Sequence, residues 1–266
     1  MFRIKKIDSI EELSELKQGY MNLTTAPLDG MWLTGFVPMA THYGFFEEDV
    51  LVGYCCVNDE SFLLQFYVSP GHQAAAWFEA ILSEEESVVG KIRGAFVSTA
   101  EPQYLSQCLD HFPSFNVNAL MYQLAESKAA DPSFELVVVK GNQLDEMVAF
   151  ANQAIGAPEE WLVGYFGNLI NREELYACWK DGQVLATGEC RGYEECQLEY
   201  ADLGMIVSEA ERGKGVATAV LKRLVKTAES RGLRPICSTE NNNVGAQKAI
   251  SRAGFISHNR IVRFTI

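Results

Sequence analysis

Residues suited to holding a metal are scarce in this sequence. The four histidines, His42, His72, His111 and His258, stand at no ligand spacing from a cysteine or carboxylate. The seven cysteines are odd in number, none forms a Cys-x-x-Cys pair, and Cys55 and Cys56 are adjacent. This scatter argues against a disulfide framework and predicts buried free thiols and no metal. Positive charge is also short: 22 Lys and Arg against 35 Asp and Glu leave a formal net charge of −13. Binding to nucleic acid depends on clustered cations, so that class of function is excluded. The acidity suits a cationic acceptor such as an amine, although solubility alone accounts for it. Long apolar runs are missing too. No stretch is long enough to span a bilayer, and the first six residues lead into a polar segment rather than a secretory core, so a cytoplasmic protein away from the membrane is expected.

What remains is the composition of an ordinary globular protein. The chain has 266 residues, 48% hydrophobic and 21% charged, enough for one or two domains with substantial cores. Residues 127–133, with Lys128, two alanines, Asp131 and Pro132, are the most linker-like stretch and separate halves of similar length. The expected domains are therefore residues 1–128 and residues 129–266.

The most informative segment lies in the second half. Leu203, Met205 and Val207 alternate as a strand does. A turn follows, with Arg212, Gly213, Lys214, Gly215, Val216 and Ala217. Beyond it Val216, Val220, Leu224 and Ala228 recur every four residues, with Leu221 and Val225 widening the stripe, which predicts a helix. The two glycines let the backbone turn tightly and approach a ligand. The amides that open the helix have no partner within it, and its dipole is positive at that end, so the turn is suited to an anion such as a diphosphate. Arg212 and Lys214 add positive charge there. Two familiar phosphate loops do not fit: Gly215 is not followed by Lys and Ser or Thr, and the third glycine of a dinucleotide fingerprint is absent.

This arrangement resembles the GNAT superfamily of N-acetyltransferases, whose acetyl-CoA loop reads Arg or Gln, two residues, Gly, one residue, Gly or Ala. Here those positions are Arg212, Gly215 and Ala217. The resemblance continues in Asn243, Ala246, Gly254 and Phe255, preceded by a strand near Ile236. It implies a mixed α/β fold with a mixed sheet, acetyl-CoA as co-substrate and an N-acetyltransferase reaction on a small-molecule amine, by a monomer or homodimer. It also implies that the strand before the loop splays from its neighbour, with backbone amides of Met205, Ile206 and Val207 along the pantetheine arm. The amides of Arg212, Gly213, Lys214, Gly215, Val216 and Ala217 would then hold the diphosphate, with Asn243 and Ala246 beside the pantetheine. Many relatives carry a Tyr, as general acid, at the position of Ile250, which cannot donate a proton. For the base, Asp202 is the first choice, Glu199 the second and Glu189 the third, each on a strand beside the cleft. A non-catalytic acyl-CoA sensor is the alternative reading.

The elements of the second half are expected as a strand over 134–139, helices over 144–154 and 159–169, a hairpin of 175–179 and 183–190 closing on Asp181-Gly182, and a strand over 196–207. The motif helix, the strand near Ile236, the Asn243 helix and a final strand over 260–266 complete it. The first half repeats this order: a hairpin of 41–46 and 50–57 around Glu47, Glu48 and Asp49, a strand over 62–68 and a helix over 74–82. Residues 96–115 can be laid on 236–255 with Ser98, Thr99, Gln107 and Phe115 matching Ser238, Thr239, Gln247 and Phe255, and Val68-Ser69 matches Val207-Ser208. After Ser69 come Pro70, Gly71, His72, Gln73 and Ala74, without a second glycine or an Arg or Lys. The first half is therefore expected to be a GNAT-like copy that has lost the coenzyme loop, in a two-domain protein loosely similar to the zwittermicin A resistance acetyltransferases. Trp32, Phe36, Tyr43, Trp161 and Tyr165 are candidate lining for an acceptor cleft.

Overall fold

The computed structural model describes residues 2–83 and 88–266. In chain order the elements are β1 (Phe2–Lys6), α1 (Ser14–Asn22), α2 (Val37–Met39), β2 (Thr41–Glu47), β3 (Val50–Val57), β4 (Phe62–Val68), α3 (Ala74–Leu82), β5 (Gly94–Ser98), α4 (Pro102–His111) and β6 (Ser114–Leu124). The order continues with β7 (Val137–Val138), α5 (Leu144–Ile155), α6 (Glu159–Asn171), β8 (Leu175–Lys180), β9 (Gln183–Gly192), β10 (Tyr200–Val207), α7 (Val216–Ser230), β11 (Arg234–Glu240), α8 (Val244–Arg252) and β12 (Phe255–Thr265). The chain divides into one unit of Met1–Met121 with Asn259–Ile266 and a second of Tyr122–His258. The divisions fall inside β6 and β12.

In the first unit β1, β2, β3 and β4 follow one another as antiparallel neighbours. β5 then runs parallel to β4, and the end of β12 pairs antiparallel with β5. The β2–β3 hairpin turns on Glu48 and Asp49, both at positive φ (48° and 72°), so the loop has two residues rather than three. The core is aromatic: Phe45 stacks on Trp77 at 4.9 Å, and Phe66 meets Phe78 edge-on at 4.9 Å. α1 and the short helical turns near Trp32, which carry no strong apolar period, were not expected from the sequence.

The second unit orders its strands β11, β10, β9, β8, β7, all antiparallel except β10 with β11. The β8–β9 hairpin closes on Asp181 (φ 51°) and Gly182 (φ 76°), as the Asp-Gly pair demands. β7 is only Val137–Val138, shorter than the alternation over 134–139 suggests. α5 and α6 cover one face of the sheet, burying Met147, Val148, Leu162, Phe166 and Leu169 with Leu175 and Ala177. α7 covers the other face with Val220, Leu221, Leu224, Val225 and Ala228 buried, each valine and leucine contributing about 1.5–3 kcal/mol relative to exposure. Gly188 on β9 lets α7 come close, since a Cβ there would stand 3.0 Å from Val220. All seven cysteines are free thiols, six of them buried.

The repeat is visible in detail. Ser69 donates its N–H to Val52 O (2.8 Å) where β4 ends, and Ser208 donates to Leu185 O (2.9 Å) where β10 ends.

Candidate active site

The sheet of the second unit opens beside β10. The parallel ladder with β11 covers only Tyr200, Ala201 and Asp202 against Arg234, Pro235 and Ile236. The antiparallel ladder with β9 continues to Val207. The Ser208–Leu185 bond sets the alternation: Asp202, Gly204 and Ile206 turn their backbone groups to β9, whereas Leu203, Met205 and Val207 turn theirs to the opened side. Of the three residues named by resemblance, Met205 and Val207 thus present backbone at the opening. Ile206 does not: its amide faces Thr187, and its side chain joins the core under α5 and α6.

The opening leads into the glycine turn. Gly213 (φ 78°) and Gly215 (φ 88°) both sit in the left-handed region, and a Cβ at either would meet nothing within 4 Å. Glycine is therefore required by backbone conformation, and the surface above the turn is clear of the protein's own atoms. Ala219 N–H is the first to bond a helix carbonyl, that of Gly215 at 3.1 Å, so the amides of Val216, Ala217 and Thr218 are first-turn donors with no partner inside α7. Their direction and the dipole of this fifteen-residue helix suit a diphosphate. The residues present therefore fit the coenzyme.

The basic side chains serve the loop itself. Arg212 Nη2 donates to Ala154 O at 2.6 Å and Nε reaches Val207 O at 3.4 Å, which ties the turn to the ends of α5 and β10. Lys214 is exposed and pairs with Glu211 at 3.1 Å. Asn243 is the N-cap of α8, its Oδ1 accepting the Ala246 N–H at 3.1 Å. Ile250, 2% exposed, is in the core side of α8.

The carboxylates separate sharply. Glu199 was expected on a strand over 196–207, but β10 begins at Tyr200 because Gln197 (φ 53°) bends the chain and its carbonyl accepts the Tyr200 N–H at 2.9 Å. Glu199 is exposed in this turn, at the end of β10 away from Val207. Asp202 is 2% exposed and its Oδ2 accepts from Arg191 Nη2 at 2.7 Å. Glu189, 5% exposed, accepts from Arg191 at 2.9 Å and from the Tyr165 hydroxyl at 2.6 Å. Arg191 also bonds the Tyr165 oxygen. Burial, with Glu189 beside it, holds the Tyr165 phenol well above its ordinary range, so it is neutral. Trp161 stacks on Tyr165 at 4.6 Å.

Arg191 is the member that sequence reading missed. The signal was Glu189 and Arg191 two apart on one strand, hence on one face. What puts them opposite Gly204 and Asp202 is the β9–β10 register, which no local pattern states.

An open parallel pair, a glycine turn at a helix N-terminus and carboxylates on the neighbouring strands are the arrangement of the GNAT fold. The pattern of an acetyltransferase (GNAT) domain matches residues 9–125, and that of the acetyltransferase (GNAT) family matches residues 142–255. A solved acetyltransferase of the GNAT family from Colwellia psychrerythraea shares 49% identity over 99% of both chains, with a TM-score of 0.96. The chain belongs to the GNAT acetyltransferase family and carries two GNAT domains in tandem. A tandem GNAT protein from the clavulanic acid biosynthesis pathway has the same fold at 13% identity, with a TM-score of 0.67 over 100% of this chain and 98% of that one. So does a GCN5-related N-acetyltransferase from Sphaerobacter thermophilus at 14% identity, with a TM-score of 0.59 over 98% and 94%. No curated protein matches the chain.

Proposed function

We propose that this protein transfers the acetyl group of acetyl-CoA to the amine of a small-molecule acceptor. The observation that carries this reading is the opened edge of β10 running directly into the turn at Gly213 and Gly215 and the first amides of α7. The coenzyme, when bound, supplies an activated thioester. The backbone groups of Met205 and Val207 lie along its pantetheine arm, and the amides of Gly213, Gly215, Val216 and Ala217 hold its diphosphate, those of Arg212 and Lys214 being bonded to Glu209 O and Glu211 O. Asn243, by capping α8, fixes the helix beside that path.

An amine must lose a proton to become a nucleophile. We assign this task to the group formed by Glu189, Arg191 and Asp202, with Asp202 first. Two carboxylates against one guanidinium leave a formal charge of −1, which favours an ammonium nearby. Tyr165 holds Glu189 in place. Ile250 cannot protonate the leaving sulfur, so departure as thiolate is proposed, compatible with a thiol pKa of about 8.5. In this reading residues 129–266 are the catalytic half, and residues 1–128 bind no coenzyme.

The buried Ile250 also favours a second reading, a sensor that binds acyl-CoA without turnover. One experiment separates the two: purified protein with acetyl-CoA and a panel of amines, aminoglycosides, polyamines, amino acids and short peptides, with free thiol followed against a Gly215→Glu control. Acceptor-dependent release that disappears in the control supports the transferase. Tight acetyl-CoA binding without release across the panel sinks it in favour of the sensor.

A further inference from the structure

Residues 212–254 reverse the charge of the rest of the chain. They carry nine of its 22 Lys and Arg, but of its 35 carboxylates only Glu229 and Glu240. Most of these cations are engaged by the fold. Arg212 and Lys214 hold the glycine turn. Arg223 donates to Phe134 O (2.6 Å) and Pro132 O (2.8 Å), Lys226 to Glu229 and Ser127, and Arg231 to the carbonyls of Cys190 and Glu173. Arg234 lies over the Tyr200 ring at 5.1 Å. The side chains of Lys222, Lys248 and Arg252 make no hydrogen bond or ion pair among the described residues.

These three belong to one face of the α7–α8 pair. Thr218 Oγ1 stands 3.5 Å from Ala249 O where the two helices meet. Lys222 follows Thr218 by one turn of α7, about 6 Å along the helix and on the same stripe. Lys248 and Arg252, both exposed, stand a turn apart on α8 and flank Ala249 in the chain. Like charges four residues apart on a helix repel each other. The one carboxylate of α7, Glu229, is held by Lys226, and α8 has none. A polyvalent anion offsets this repulsion and gives all three cations a partner.

We propose that Lys222, Lys248 and Arg252 hold the ribose 3′-phosphate of coenzyme A and make it the feature by which the protein tells the coenzyme from its 3′-dephospho form. This rests on the reading that the first amides of α7 take the diphosphate, from which the 3′-phosphate is only a few bonds away. Side chains on a helix lean toward its N-terminus, so Lys222 leans to those amides and Lys248 and Arg252 to the Asn243 end of α8. A phosphate monoester brings a charge of about −1.5 to −2 and three acceptor oxygens, which suits two ammonium groups and a guanidinium.

The test is calorimetric titration of the full chain with coenzyme A and with 3′-dephospho-coenzyme A at one fixed ionic strength, without an acceptor. The expected result is that the unsubstituted protein binds coenzyme A at least about tenfold more tightly. The triple variant Lys222→Gln, Lys248→Gln, Arg252→Gln should bind both forms alike, at the affinity of the dephospho form. Lys226→Gln removes a neighbouring cation already held by Glu229 and should keep the difference. Equal affinities of the unsubstituted protein for the two forms overturn the proposal and leave the diphosphate reading standing. A difference that survives in the triple variant overturns it as well, and so does an equal loss of the difference in Lys226→Gln, which would reduce it to net charge. Binding of neither form overturns it together with the diphosphate reading.

Discussion

The Glu189 carboxyl lies directly over Gly204, its partner across the β9–β10 ladder, and a Cβ at Gly204 would stand 2.9 Å from Glu189 Oε2. The glycine is there to make room, since its φ is not positive. Gly204→Ala should therefore push the carboxyl off Tyr165 and Arg191 and cost on the order of 1–2 kcal/mol. Urea unfolding checks the stability, and thiol release checks whether transfer falls with it; an unchanged rate would remove Glu189 from the chemistry.

Arg191 joins two buried carboxylates, Glu189 at 2.9 Å and Asp202 at 2.7 Å. Arg191→Met strips both of their counter-charge and should cost about 3–5 kcal/mol at neutral pH. Adding Glu189→Gln and Asp202→Asn to that variant should recover much of the loss. Denaturant midpoints of the single and triple variants give the answer, and equal midpoints would mean that the group is not coupled.

At Gly215 the demand is conformational. Gly215→Ala should cost about 1 kcal/mol from its left-handed φ of 88° while leaving acetyl-CoA binding measurable. Gly215→Glu adds an anion at the first-turn amides of α7 and should abolish binding at a similar stability cost. Calorimetric titration with acetyl-CoA distinguishes the two; equal affinities would place the diphosphate elsewhere.

Two buried groups of the first unit titrate against each other. Burial lowers His42 to about 4 and raises Glu101 to about 7. For His42 the unfolded chain binds more protons than the folded one between about 4 and its ordinary value, so stability rises with pH there. For Glu101 the folded chain binds more protons between its ordinary value and about 7, so the stability present at low pH is lost as pH rises through that window. Each is worth on the order of 3 kcal/mol, with opposite sign. The unsubstituted protein should therefore show little net slope from these two between pH 4.5 and 6.5. Glu101→Gln should leave a rising slope and His42→Asn a falling one, as read from unfolding free energies across that range.

Much of the site could be read along the chain. Gly213 and Gly215 after the alternation of Leu203, Met205 and Val207, and before the stripe of Val220 and Leu224, are local signals whose meaning depends only on backbone stereochemistry and helix periodicity. The Asp181-Gly182 turn and the Asn243 cap are of the same kind. The strand over 196–207 begins only at Tyr200, leaving Glu199 in a turn, because a single residue at positive φ, Gln197, ends the extended run, and glutamine gives no warning of it. Arg212 carried a charge that suggested the ligand, but its bonds to Ala154 and Val207 span 58 and 5 residues.

The sequence by itself determined most elements of the second half, the GNAT-like repeat and the anion-suited turn, because short-range sterics and apolar periodicity act between residues close in the chain. Only the tertiary structure decided which backbone groups face the opening beside β10 and that Arg191 bridges Glu189 and Asp202. Those relationships arise from strand register and from which strands part, and register is set by packing across the whole sheet.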